Sequence, residues 1–291
     1  MTALTATRIL PDHAAALGES PLWDDRNNCL YWVDIKGGEL HSYDPVSETH
    51  KTAKTPETVS SIGLFSPQGL VMAGRSGLWV IAAFDDTPKR VAQWPALPDD
   101  TRTNDGKVGP DGAFWISTMQ DRDDRGPSGV IMRVAPDGTI TTPLKGFTTP
   151  NGIAWSPEGT RMYLCDTRAL WVDKIVFDPE TGALGARDRF VTLESATQGK
   201  PDGATVDSAG TYWVAAPYGR AVQGFTPDGE HIATIDVPTL MPTMPCFGGA
   251  DLTQLFITSL VKQDAPDDGS GGLFTTHMAT RGLPAYRFEI S

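Results

Sequence analysis

A repeat with a period of 40 to 50 residues constrains the fold of this chain more than any other feature of its sequence. Each copy is a short apolar and aromatic run that follows a turn, and the central residues of successive runs are 40, 44, 48, 50 and 43 residues apart. The runs are LYWVD (30–34), LVMAG (70–74), FWIST (114–118), MYLCD (162–166), YWVAA (212–216) and LFITS (255–259). Six copies at this spacing are typical of the four-stranded blades of a β-propeller.

A second hairpin follows the first in each copy, with Asp-Pro, Pro-Asp-Gly or Pro-Glu-Thr-Gly in its turn. In the sixth copy we assign this hairpin to GLFTTHMATRGLPAYRF (272–288). The N-terminal run TATRIL (5–10) is predicted to supply the outer strand of the last blade, which would leave no open sheet edge. We therefore predict an all-β fold, a six-bladed β-propeller of four-stranded antiparallel blades around a central channel, with residues 1–291 in a single domain.

The composition limits the classes of partner. A net charge of −12 without any Lys/Arg-rich run argues against a nucleic-acid surface. No window reaches about 18 continuous apolar residues, and the N-terminus lacks a basic segment followed by an apolar one, so we expect neither a membrane partner nor a signal peptide. The widely spaced Cys29, Cys165 and Cys246 indicate free thiols in a reducing compartment. We expect a cytoplasmic monomer or weak homo-oligomer.

Six positions of the repeat are predicted to form a ring around one mouth of the channel. Each lies four residues before the last apolar residue of the first strand of its blade, and this strand lines the channel. The ring positions are Glu19, Ser61, Asn104, Asn151, Asp202 and Cys246. Asp and Asn before Gly are also common in turns, and a Glu near a strand start often only accepts backbone hydrogen bonds. Each residue taken alone therefore has a purely structural explanation as well.

The two carboxylates and two carboxamides of this ring favour a metal site. Facing carboxylates in a poorly hydrated channel repel each other unless a proton or a cation lies between them. Oxygen ligands of this kind suit Ca²⁺, Mg²⁺ or Mn²⁺, and Zn²⁺ and Fe²⁺ remain candidates. We expect one divalent metal ion, which with three protein ligands would keep positions open for water or substrate and act as a Lewis acid.

Two other kinds of hydrolase chemistry are not expected. The chain has no Gly-x-Ser-x-Gly motif, which argues against a serine hydrolase. The five histidines lie outside the ring and are predicted to lie on exposed hairpins, which argues against a histidine-metal centre. These residues are His13, His41, His50, His231 and His277.

Five segments are similar to the SMP-30/gluconolactonase/regucalcin family, in the right order and spacing over nearly the whole chain. They are LGESPLW (17–23), RTNDGKVGPDGAFWISTM (102–119), TTPNGIAWSPEGTRMYLCDT (148–167), GKPDGATVDSAGTYWVA (199–215) and PCFGGADLTQLFITS (245–259). The resemblance implies a six-bladed propeller with Glu19, Asn151 and Asp202 as metal ligands. It implies that Asp202 is also the base and that Arg102 and Asn104 contact the substrate; Arg102 is identified by the resemblance alone.

The resemblance also implies an activity, the metal-dependent hydrolysis of a sugar lactone to its aldonic acid. Candidate substrates are the small-molecule lactones of gluconic, xylonic, arabinonic and galactonic acid. Two alternatives stay open, a Ca²⁺-binding regulatory protein of the regucalcin type and a phosphotriesterase on the same propeller. An interaction propeller of the WD40 type is disfavoured, because such a protein does not need acids and amides at the channel mouth.

One segment departs from the family pattern. Some members carry a substrate-binding Glu before the second hairpin of blade three, where QDRDDRGPSGVI (120–131) has Arg125. Either Asp123 or Asp124 could replace that Glu if the loop path differs. The loops 119–128 and 261–272 are expected on the face of the ring, where they would shape specificity or simply be solvated and acidic.

Overall fold

The computed structural model describes residues 4–194, 198–267 and 269–290, in which 26 strands form six sheets. The first strand of each sheet contacts the first strands of the two neighbouring sheets, so the six sheets close into a ring. This arrangement confirms the predicted six-bladed β-propeller. The part of the chain that the structure describes contains no helix with the length and apolar character needed to span a bilayer.

The strands follow one another blade by blade. Two short strands come first, β1 (Leu4–Thr5) and β2 (Thr7–Ile9). Blade one contains β3 (Gly18–Asp24), β4 (Cys29–Asp34), β5 (Glu39–Asp44) and β6 (Thr49–Lys54). Blade two contains β7 (Val59–Phe65), β8 (Leu70–Gly74), β9 (Gly77–Ile81) and β10 (Lys89–Gln93). Blade three contains β11 (Thr101–Val108), β12 (Phe114–Gln120), β13 (Gly129–Val134) and β14 (Ile140–Phe147).

The second half of the chain continues the pattern and ends with one additional strand. Blade four contains β15 (Pro150–Trp155), β16 (Arg161–Asp166), β17 (Trp171–Phe177) and β18 (Leu184–Thr192). Blade five contains β19 (Ala204–Val206), β20 (Tyr212–Ala216), β21 (Ala221–Phe225) and β22 (His231–Asp236). Blade six contains β23 (Pro242–Gly248), β24 (Gln254–Ser259) and β25 (Leu273–His277), and the last strand is β26 (Arg287–Phe288).

The N-terminus closes the ring. Strand β2 pairs antiparallel with β25, with Thr7 opposite Thr275, and so becomes the outer strand of blade six. This pairing confirms the predicted role of the N-terminal run. Strand β1 pairs in parallel with β22, with Leu4 opposite Ile235, so the N-terminus also extends blade five. Two neighbouring blades are therefore joined through one short segment of chain.

The predicted second hairpin of blade six (272–288) is wrong beyond β25. The outer position that its last strand would take is filled by β2. The C-terminal segment instead bridges to blade five, where Gly282 pairs with Asp207, and then to blade two, where β26 pairs in parallel with β7. These contacts lie at the ends of the first strands opposite to Asp202. The C-terminus therefore covers the mouth of the channel that the ring residues do not occupy.

Apolar side chains from neighbouring blades pack face to face and hold the first strands in place. At the junction of blades four and five the rings of Tyr163 and Tyr212 lie 4.9 Å apart, and both residues are buried. The Tyr212 hydroxyl donates a hydrogen bond of 3.0 Å to the carbonyl oxygen of Gly152. Packing between blades thus fixes the backbone directly after Asn151.

Candidate active site

Four of the six predicted ring residues come together at one mouth of the channel. They lie on the first strands of blades one, three and four and just before the first strand of blade five, and are Glu19, Asn104, Asn151 and Asp202. The pairing register shifts between Glu19 and Leu22, between Thr103 and Gly106, and between Asn151 and Ala154. Such bulges redirect side chains out of the regular alternation of a strand. The same irregularity therefore recurs in three blades at the position that carries the acid or the amide.

A chain of hydrogen bonds links an arginine to a carboxylate across this mouth. Arg102 Nη1 donates to Asn104 Oδ1 at 2.8 Å, and Asn104 Nδ2 donates to Asn151 Oδ1 at 2.7 Å. Asn151 Nδ2 then donates to Asp202 Oδ1 at 2.7 Å. The cationic group at one end sets the orientation of both amides. As a result each amide directs its oxygen toward Arg102 and its nitrogen toward Asp202.

Two carboxyl groups face each other at this mouth with little solvent to screen them. Burial raises the pKa of Asp202 to about 8, and the charge of Asp105 adds to the effect. Burial is also the main cause that raises the pKa of Glu19 well above its usual range. The charges of Asp202 and Asp105 raise this pKa further. The nearby charge of Arg102 opposes both shifts in pKa without cancelling them. The local charge therefore favours a proton or a cation between these groups.

Asp105 and Lys107, which the sequence reasoning missed, lie in the channel behind the mouth. Asp105 Oδ2 accepts a hydrogen bond of 2.9 Å from the amide of Ile153, and burial raises the pKa of this carboxyl. Lys107 Nζ donates to the carbonyl oxygen of Ala204 at 2.8 Å, and burial lowers its pKa. The sequence could have indicated both residues, because they follow Asn104 within the segment NDGK (104–107) on a strand predicted to line the channel.

The other two predicted ring positions do not join the cluster. Ser61 is fully buried, and its hydroxyl lies against blade three next to Gly106. The prediction of Cys246 is wrong by two residues, because Ala250, taken as the last apolar residue of the strand, lies in the turn after β23. Met244, opposite Thr258, holds the corresponding position. Cys246 instead lines a cavity at the other end of the channel.

Three of the five histidines contradict the prediction that all lie on exposed hairpins. His41 is buried, and His13 and His50 are partly buried beside it. His231 and His277 are exposed, as predicted. The repeat could not predict that these three histidines lie together, because His13 belongs to the segment before the first blade.

The stretch of chain that contains the six first strands matches a known family. A family model described as the SMP-30/Gluconolactonase/LRE-like region matches residues 17–261, a range that spans all six first strands. The chain belongs to the SMP-30/gluconolactonase/LRE-like family.

Relatives in this family include sugar lactonases and calcium-binding proteins. The chain is 37% identical to a 6-deoxy-6-sulfogluconolactonase of Pseudomonas putida over 246 residues, 84% of each protein. It is 34% identical to the pentonolactonase XacC of Haloferax volcanii over 99% of each chain. Its structure superposes on that of regucalcin from Agrobacterium tumefaciens, described as a calcium-binding protein, with a TM-score of 0.91, 29% identity and 99% coverage of both chains.

The loop that departs from the family pattern brings an arginine near the mouth. Asp123 and Asp124 are exposed, whereas Arg125 is partly buried and its Nη1 lies 3.4 Å from Met119 Sδ. Burial and the charges of Arg168 and Arg102 lower the pKa of Arg125. The side chain of this loop that lies near Arg102 is therefore Arg125, whereas both aspartates are exposed to solvent. In the second predicted loop (261–272), residue 268 lies outside the described residues.

Proposed function

We propose that this protein hydrolyses sugar lactones to aldonic acids with the help of one divalent metal ion at the mouth of the channel. The observation that carries the proposal is the convergence of Glu19, Asn151 and Asp202, next to the pair Arg102 and Asn104. The names of the lactonase relatives support the reaction class, and the calcium-binding relative supports a metal.

The donor set at the mouth fits a hard divalent cation. Two carboxyl groups whose pKa values are raised by burial and mutual repulsion are stabilised when a cation binds them both. Asn151 Oδ1 would complete the protein ligands after half a turn of its amide, since Nδ2 is the atom that now faces Asp202. When bound, the ion would act as a Lewis acid toward the lactone carbonyl and keep Asp202 ionised.

Asp202 is the residue we assign as the general base. In the structure Asn151 Nδ2 donates to Asp202 Oδ1 at 2.7 Å, and once this amide turned its oxygen to the ion, the shared ion would hold the carboxyl group instead. In the proposed reaction a water molecule gives a proton to Asp202 as its oxygen adds to the lactone carbonyl. The ring C–O bond then breaks, and the ring oxygen takes the proton from Asp202, which regenerates the carboxylate.

Arg102 supplies positive charge beside the reacting centre. Its Nη1 also donates to the carbonyl oxygen of Thr103 at 2.8 Å, and its Nε donates to Asp121 Oδ1 at 3.2 Å, so the guanidinium is held from several sides. A fixed cationic donor stabilises the negative charge that develops on a carbonyl oxygen during acyl transfer. Asn104, held by Arg102, is placed to position a substrate hydroxyl.

The proposal is tested by the Asp202→Asn and Glu19→Gln variants. We expect Asp202→Asn to lower kcat by roughly 10²- to 10⁴-fold, the usual contribution of general acid–base catalysis, and Glu19→Gln to lose bound metal. Activity would be measured on gluconolactone, xylonolactone, arabinonolactone and galactonolactone with metal-reconstituted and chelator-treated protein. The exposed Asp124→Asn serves as the matched control. Full activity of Asp202→Asn would overturn its assigned role.

A regulatory calcium-binding function is the second candidate, since regucalcins are among the relatives and structural neighbours. This alternative predicts Ca²⁺ binding without turnover of any lactone in the panel. A phosphotriester added to the same panel tests the remaining alternative. Turnover of a sugar lactone that chelator abolishes would exclude the purely regulatory reading.

We further propose that the preferred lactone carries an anionic substituent. Arg168 lies close enough for its charge to lower the pKa of Arg125, an effect that the charges of Asp121 and Asp123 oppose. No carboxylate oxygen in the described ranges lies within 4.0 Å of the guanidinium of Arg125 or Arg168. Two such cations favour a sulfonate or phosphate group. The sulfogluconolactonase relative agrees with this class of substrate. Equal kcat/KM for gluconolactone and its 6-sulfonate would contradict it.

A further inference from the structure

Three histidines form a compact cluster in the outer part of blade one. His13 lies in the segment between β2 and β3, His41 lies on β5, and His50 lies on β6. One ring nitrogen from each residue lies within 4.8 Å of one from both others. Strands β5 and β6 are the two strands of this blade farthest from the channel. The cluster is therefore separate from the mouth that holds Glu19 and Asp202.

Two of the ring nitrogens already have the separation of ligands on one ion. His41 Nδ1 lies 3.1 Å from His50 Nε2. Two nitrogens bound to a tetrahedral Zn²⁺ at about 2.0–2.1 Å are themselves about 3.3 Å apart. One His13 ring nitrogen lies within 4.8 Å of both, so a small shift of this partly buried side chain would complete the ligand set.

The cluster contains ring nitrogens whose hydrogen-bonding capacity is unused. His13 Nε2 and His41 Nε2 are buried and make no hydrogen bond within the described residues. His41 is 1% exposed, so its unsatisfied nitrogen is costly in an apolar setting. An ion bound through His13 Nε2 would give that nitrogen a partner.

Trp32 restricts the movement of the imidazole rings. Its indole stacks on His41 and on His50, with interplanar angles of 14° and 12°. The edge of the His13 ring contacts the same indole at a centroid distance of 5.5 Å. An enclosed aromatic wall of this kind limits the rotamers of the ligands before any ion binds, which reduces the entropy lost on binding.

The protonation state suits metal coordination. Burial and the neighbouring imidazoles lower the pKa of His13 to about 4 and that of His41 to about 3, and burial lowers the pKa of His50. The rings are therefore neutral near pH 7, the form that binds metals. The nearby acids Asp34 and Glu39 favour a cation, whereas Arg8 and Lys54 oppose it.

We propose that His13, His41 and His50 form a binding site for a borderline divalent transition metal, with Zn²⁺ as the leading candidate. Three imidazoles with one position open to water are a ligand set that such ions accept, whereas Ca²⁺ and Mg²⁺ prefer oxygen. Binding through His41 Nδ1 leaves Nε2 directed toward Glu39 Oε2, which lies 3.7 Å away. A carboxylate near the second nitrogen of a ligating histidine fixes the ring orientation.

An ion at this site would cross-link the closure of the ring. His13 follows β2, the strand that completes blade six, while His41 and His50 belong to blade one. Coordination would therefore tie the segment that leaves blade six to the outer hairpin of blade one. We expect Zn²⁺ to stabilise the folded protein because it binds the native arrangement of three separate segments.

The experiment measures Zn²⁺ and Co²⁺ binding to the chelator-treated, full-length chain. Glu19→Gln/Asp202→Asn removes the carboxyl groups of the central site and should retain one ion per chain. In that background Co²⁺ should give the intense visible absorption of a tetrahedral site with three nitrogen ligands. A further change of His13 and His50 to Gln should abolish this band. It should also weaken Zn²⁺ binding by more than the roughly 10- to 100-fold that loss of an outer-shell partner produces.

The matched control changes the two exposed histidines, His231→Gln and His277→Gln, and should leave the band and the affinity unchanged. The proposal is overturned if the Glu19→Gln/Asp202→Asn chain binds no ion, or if the band survives without His13 and His50. In either case the cluster is a neutral hydrogen-bonded stack of imidazoles. Because lactone turnover is not used as a readout, failure here is distinct from failure of the proposed lactonase activity.

Discussion

Arg102 shows at the scale of a single residue how position decides what a side chain does. Its guanidinium bonds to the Thr103 carbonyl, the Asn104 amide and the Asp121 carboxylate. The amide chain to Asp202 begins at this residue, so Arg102 both supplies charge and orients Asn104 and Asn151. A lysine could keep the charge but lacks the planar fork of donors.

We therefore expect Arg102→Lys to lower kcat/KM by about 10- to 100-fold, which corresponds to a loss of about 1.5–3 kcal/mol for hydrogen bonds to a charged group. Steady-state kinetics on the best lactone of the panel would measure this change. Arg122→Lys, in the exposed loop after β12, is the control. Unchanged kinetics of Arg102→Lys would show that its hydrogen-bonding geometry is dispensable.

At the scale of the strand, the bulge at Asn151 carries the site. Gly152 has a φ of +67°, and a Cβ there would meet the Tyr212 hydroxyl and lie 2.9 Å from Cys165 Sγ. Gly138, in an exterior turn, has a φ of +81°, but a Cβ at this position would have nothing within 4 Å. The two glycines thus share the left-handed backbone and differ in the space around it.

Gly138→Ala should reduce the free energy of unfolding by about 1 kcal/mol, the cost of placing a Cβ in this backbone region. Gly152→Ala should cost more, because the added carbon displaces Tyr212 and the bulge that presents Asn151. It should also lower lactonase activity, which Gly138→Ala should not. Urea unfolding and initial rates on the two variants provide the comparison, and equal effects would contradict the role assigned to the bulge.

At the scale of the whole molecule, both chain ends hold the ring together. The N-terminal β2 completes blade six, and the C-terminal β26 pairs with the first strand of blade two. Phe288, on β26, is fully buried and meets the edge of Phe114 at a centroid distance of 6.4 Å. The C-terminal segment therefore contributes a side chain to the hydrophobic core.

Phe288→Ala should lower the free energy of unfolding by about 3–5 kcal/mol, as expected for truncating a buried aromatic ring. Tyr286→Ala removes a ring that is 36% exposed in the same segment and should cost clearly less. Denaturant unfolding monitored by tryptophan fluorescence would measure both. Equal losses of unfolding free energy in the two variants would contradict the conclusion that Phe288 is the residue that anchors the C-terminal segment in the core.

The repeat in the sequence was enough to predict the fold class and four of the residues that line the mouth. Strand pairs and their turns are local, so six copies at a blade-length spacing predicted six blades. The same repeat offset selected Glu19, Asn104, Asn151 and Asp202, which the structure places together, although the metal and the catalytic roles remain proposals. Arg102 required the family resemblance, because it lies two residues outside the ring position.

The features that depend on closing the ring could not be predicted from the repeat. Strand β2, near the N-terminus, takes the outer position of blade six by pairing with β25. Residues 282–290 therefore do not form that strand, and they cover the second mouth instead. Met244 rather than Cys246 holds the ring position because β23 ends at Gly248, two residues before Ala250. The cluster of His13, His41 and His50 forms because closure brings the segment after β2 against blade one. Repeat spacing cannot predict such contacts, since they join segments that no local pattern relates.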